Sequence, residues 1–114
     1  MPTPTPTPSP TDKLYLETIN QQRDYLAKLQ EAFNKHCDEI TSQANEKLDA
    51  IPDADKEGKA KVLAEQKQQL DQALVQFKSE VTHSMGVTRK KLEEIQSQRE
   101  NNLISDLEEK MKQL

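Results

Sequence analysis

Apolar side chains recur every eleven residues through most of this chain, and the recurrence is interrupted once, at Pro52, the only proline after Pro10. In the first segment Tyr15, Leu26, Cys37 and Leu48 form one row, Leu29, Ile40 and Ile51 a second, and Phe33 and Ala44 a third. In the second segment Leu70, Val81, Leu92, Leu103 and Leu114 form a row, Leu63, Leu74 and Met85 another, and Phe77 sits in the third. Eleven residues in three turns is about 3.67 per turn, close to the intrinsic helical period, so each row stays on one face of a nearly straight helix.

A proline disfavours helical geometry at the residue before it, so the first helix is predicted over residues 11–51. Residues 52–54 make the turn, Asp53 and Asp55 recap the chain, and a second helix is predicted over 55–114. Folding back at this turn sets Tyr15 opposite Leu92, Gln22 opposite Met85, Leu26 opposite Val81, Phe33 opposite Leu74, Cys37 opposite Leu70 and Ala44 opposite Leu63. Stripe meets stripe at each layer, and small faces large at Ala44 and Cys37, as interdigitating layers require. The predicted fold is therefore all-α, a long antiparallel coiled-coil-like helical hairpin. The alternative is a three-helix bundle broken near Gly86, where glycine costs about 1 kcal/mol against alanine; the stripe continues in phase through Met85, Thr88 and Leu92, which favours the unbroken form. Acid-before-base pairs four residues apart, including Asp24/Lys28, Glu31/Lys35, Glu57/Lys61, Asp106/Lys110 and Glu108/Lys112, support helix throughout.

Composition points the same way. Only 32% of the 114 residues are hydrophobic and 4% aromatic, well below the roughly one-half apolar share of a globular domain. An extended helical assembly, in which each helix buries one stripe and solvates the rest, fits that share.

Residues 1–10 read as a Pro/Thr-rich extended tail, because alternate prolines remove amide donors and push the residues between them out of the helical region. Such a tail is a semi-rigid spacer, a target for proline-directed phosphorylation at Thr3, Thr5, Thr7 or Ser9, or a plain unstructured N-terminus. Ser9 is placed to cap the first helix, with Pro10 at its first position and Asp12 beside the orphan amides.

The net charge of -4 comes with bases scattered among acids. The one basic cluster, Arg89-Lys90-Lys91, is followed at once by Glu93 and Glu94 and reads as a solvated face, so nucleic acid is not an expected partner. Cys37 stands alone, excluding an internal disulfide; with no charged-then-apolar leader, this predicts a reducing, cytoplasmic location. No apolar run is long enough to span a membrane.

His36-Cys37-Asp38-Glu39 has no second Cys or His three or four residues on to close a metal site. Cys37 reads as a small core residue facing Leu70, and His36 and His83 as surface residues. Two helices offer no concave pocket in which carboxylates could be buried, and two glycines make no phosphate loop. No catalytic residue, cofactor, metal or small-molecule substrate is expected, and the chain is not read as an enzyme.

Lys56-Glu57-Gly58-Lys59-Ala60-Lys61-Val62 resembles one of the Lys/Gly-containing eleven-residue units of synucleins, and eleven-residue repeats recur in apolipoproteins. The resemblance implies a helix that lies on a lipid surface. Such a helix has a broad apolar face edged with Lys or Arg, whereas here about three positions in eleven are apolar and the flanks are as acidic as basic, which suits a helix–helix seam.

The hairpin leaves the last twenty or so residues overhanging, with Leu103, Ile104, Leu107, Met111 and Leu114 unpartnered. These are the predicted partner-binding residues. The expected function is a structural or assembly protein that oligomerises with itself through this overhang. The alternatives are an adaptor or regulator that captures another protein's helix, and an apolipoprotein-like peripheral lipid-binding protein.

Overall fold

The computed structural model describes residues 9–114; the Thr-Pro repeat, with its readings as spacer or modified segment, lies outside the described residues. Two helices carry the chain, α1 (Pro10–Asp49) and α2 (Lys56–Lys112), with no strand among the described residues. The chain divides into two units, one joining the stretch up to Asp24 with Ser84–Leu114, the other made of Tyr25–His83. In each unit a stretch of α1 lies antiparallel beside a stretch of α2, and the second unit contains the turn. The fold is an all-helical hairpin.

The helix ends follow from their caps. Ser9 Oγ accepts the Asp12 amide at 3.2 Å, which satisfies one orphan N–H of the first turn, and Pro10 takes the first helical position that its place after Ser9 predicts. α1 stops at Asp49 and not at Ile51, because its last turn tightens: the Ile51 amide donates to the Leu48 carbonyl at 3.2 Å, a bond to i−3, and the residue before Pro52 leaves the helical region. α2 starts one residue later than expected. Asp55 serves as its N-cap, Oδ1 accepting the Gly58 amide at 2.9 Å, and a cap residue has non-helical backbone. At the far end, Gln113 and Leu114 donate to Lys110 and Met111 at 3.3 and 3.4 Å, again bonds to i−3, so the regular helix ends at Lys112 and Leu114 falls outside it.

α2 passes unbroken through Gly86. The three-helix alternative is thereby overturned: no glycine has positive φ, and Ser84 and Thr88, on either side of Gly86, are both held to Gln22 of α1.

Within the unit of residues 25–83, all three α1 rows face inward as expected. Ile40 and Ala44 are buried, and Leu26, Leu29, Phe33, Cys37 and Leu48 are half-buried. On α2 one row is corrected. Leu63 and Leu74 are 52% and 39% exposed, while Val62 and Ala73, one residue earlier, turn inward. The cause is Phe77. Its ring stacks on Phe33 with centroids 4.6 Å apart, so Phe33 meets Phe77 and not the expected Leu74. With Phe77 at the centre of the inner face, Ala73 and Val81, one turn to either side, line the seam, and Leu74 is carried round the flank. Stacked rings contribute about 0.5–1.5 kcal/mol beyond the area they bury, which sets this layer ahead of a Phe–Leu contact.

In the other unit the same shift leaves Met85 50% exposed and turns Ser84 and Ile95 inward. Here the seam contains a polar layer. Gln22 Oε1 accepts from Ser84 Oγ at 2.9 Å and Thr88 Oγ1 at 2.6 Å, and buried Thr18 donates to the Leu14 carbonyl at 2.8 Å. Gln22 Nε2 is buried without a hydrogen-bond partner. Among the described residues the ion pairs are Lys47–Glu65 at 3.9 Å, Lys59–Asp53 at 2.7 Å and Arg99–Asp12 at 3.3 Å. Among the described residues none of the predicted acid-before-base pairs closes into an ion pair, as expected for solvated side chains whose pairing is worth only tenths of a kcal/mol.

The two glycines make different predictions. A methyl group on Gly86 meets nothing within 4 Å, so Gly86→Ala stabilises the chain by about 1 kcal/mol. A methyl group on Gly58 collides with the Asp55 carboxylate, and the cap displaced with it, worth about 1 kcal/mol, offsets the same propensity gain, so Gly58→Ala brings no net stabilisation. Urea denaturation followed by circular dichroism measures both, and an equal gain at the two positions would contradict the geometry.

Candidate interaction surface

In the unit containing both chain ends, α1 covers α2 only part of the way. Ile95 is the last buried residue of α2, at 5% exposure, and the Arg99–Asp12 pair joins the two helices four residues further on. Every residue from Gln96 onward is exposed, because α1 begins at Pro10 and Asp12 is already in its first turn.

The predicted partner-binding residues all lie in this stretch. Leu103, Ile104, Leu107 and Met111 project from α2 with 53–71% of their surface exposed, and Leu114, just past the helix, is fully exposed. Helical spacing of three and four residues brings Leu103, Leu107 and Met111 onto one face. Asp106 and Lys110 border them on one side and Glu108 on the other, with Lys112 also in the last turn.

The surface continues beyond what the sequence assigned. Leu92 is half-buried and Met85 half-exposed, and with Leu103, Leu107 and Leu114 they follow the four-and-seven spacing of a single stripe, interrupted only by Gln96. Met85, expected opposite Gln22 across the seam, is half-exposed on this face. The signal that would have placed it correctly is the row Val62, Ala73, Ser84 and Ile95 at the same eleven-residue spacing. Its small and polar members score below Leu63, Leu74 and Met85 on hydrophobicity, although small side chains are what lets two helices approach closely.

The remaining candidates are scattered. Cys37 is half-buried in the seam, and His36 and His83 are exposed. His36 edges an open groove beside the Phe33–Phe77 stack, together with Gln76 and Glu80. A second open groove runs along α2 past Ala64, Gln68, Val75 and Ser79. Among the described residues no three His, Cys, Asp or Glu side chains gather as a metal site, and no helix is long and apolar enough to cross a membrane.

Since Leu103, Leu107 and Met111 lie beyond the last buried residue of α2 and are mostly exposed, Leu103→Gln/Leu107→Gln/Met111→Gln leaves the stability of the dilute single chain within about 1 kcal/mol of the parent, glutamine being nearly as good a helix former as leucine. A denaturant titration at nanomolar concentration with a fluorescent reporter tests this; a loss of several kcal/mol would mean that the stripe packs inside the monomer. No protein-family model, no curated protein and no solved structure matches this chain.

Proposed function

We propose that this chain is a non-enzymatic coiled-coil structural or assembly protein that works by helix–helix association and oligomerises through the C-terminal stripe of α2. The observation that carries this reading is the exposure of Leu103, Ile104, Leu107 and Met111 on a helix that outruns its partner. Large apolar side chains clustered on one exposed face mark an interaction site. The edges of that face carry Asp106, Lys110 and Glu108, a mixed charge that favours a protein partner over an anionic lipid surface, whose binding helices are edged with Lys and Arg. A lone, unpaired Cys37 fits a reducing compartment such as the cytoplasm.

Light scattering coupled to gel filtration tests the proposal. The parent chain is expected to be an oligomer at micromolar concentration, and the triple glutamine variant a monomer. Burying a leucine is worth about 1.5–3 kcal/mol, so replacing three side chains per copy removes at least about 4 kcal/mol, enough to move a micromolar dimer into the millimolar range. A parent that stays strictly monomeric at these concentrations would overturn self-association and leave the stripe to a different protein's helix.

A further inference from the structure

The flanks of the stripe say where it docks. Resting on the self-association proposed above, we infer that the C-terminal stretch of α2 lies antiparallel along the α2 of a second copy, with Arg89 of each copy set against Glu100 of the other.

One edge of the stripe is already occupied. Thr88 Oγ1 is bonded to Gln22 at 2.6 Å and Arg99 is paired with Asp12 at 3.3 Å, so α1 covers the edge that these residues mark. The free edge is four residues on from Met85 and from Gln96, at Arg89 and Glu100, both exposed. A two-fold axis perpendicular to a pair of helices maps each edge onto the same edge of the partner, and that arrangement is antiparallel. A parallel pair brings opposite edges together and would need the edge that α1 covers.

On the free edge the charges are complementary in the antiparallel sense only. Arg89 and Glu100 are eleven residues apart, three turns along one face, so a single register places Arg89 against Glu100 twice, once on each side of the axis. The same register sets Met85 near Leu103 of the second copy, both at least half exposed.

Charge reversal in the full chain, read by sedimentation equilibrium, is the test. Arg89→Glu and Glu100→Arg are each expected to weaken the dimer about tenfold, since each variant places like charges at both symmetric contacts. The double variant is expected to return to within about threefold of the parent. Equal mixing of the Arg89→Cys and Glu100→Cys variants, both in a Cys37→Ser background, should give the mixed disulfide dimer and little of either homodimer. A double variant as weak as its two single changes combined, or an Arg89→Cys homodimer as the main product, would overturn the antiparallel register while a dimeric parent kept the self-association reading intact. A parent that is monomeric throughout would overturn both.

Discussion

The contact on which the rest of this fold depends is the meeting of two narrow helical faces, centred where Phe33 stacks on Phe77. Each helix devotes about three positions in eleven to that face and solvates the others, so the hairpin has little else to hold it. Ile40, Ala44, Ala73 and Ile95 are its buried hydrophobic residues, and among the described residues no large side chain is fully buried. Two of the four are alanines. Their size lets the helices approach, and the aromatic pair supplies bulk at its own layer, the alternation that dense packing requires. Ends that are capped by Ser9 and Asp55 then need no tertiary partner of their own.

Most of this was legible in the sequence because it is local or periodic. Pro52 marks the turn by geometry that no packing can override, and Ser9-Pro10 marks the first helix start. The rows of α1 are large and uniform enough that hydrophobicity alone places them. α2 was harder. Leu63, Leu74 and Met85 carry a stronger hydrophobic signal than Val62, Ala73, Ser84 and Ile95, yet the weaker row faces α1, because closeness of approach and the position of Phe77 decide which face turns in. The layer joining Gln22 to Ser84 and Thr88 was hidden for a related reason: its members are polar, and their burial is visible only once the two helices are side by side. The overhang, by contrast, followed from counting residues on either side of the turn.

The misplaced row supports the proposed function. A helix that carries one apolar face for its hairpin partner and a second, offset face left exposed suits the association proposed above. On α1 the apolar residues are concentrated toward the seam; on α2 they spread around the helix and run on past the end of α1. Buried polar groups in a helical seam are best attested as devices that fix register, and Gln22, whose Nε2 is left without a partner, fits that role. A fixed internal register matters here, since the eleven-residue repeat would otherwise let stripe meet stripe in more than one alignment.

All of this presumes that the chain doubles back at Pro52 and pairs its helices in the register described. Zero-length carbodiimide cross-linking of a dilute mixture of unlabelled and nitrogen-15-labelled protein tests that directly, because it joins an amine to a carboxylate only when the two are nearly in contact. Lys47 Nζ and Glu65 Oε2 are 3.9 Å apart across the seam, so mass spectrometry should find Lys47 joined to Glu65 within single-isotope chains. Lys47 joined only to carboxylates of its own helix, or to Glu65 solely in mixed-isotope pairs, would contradict the hairpin.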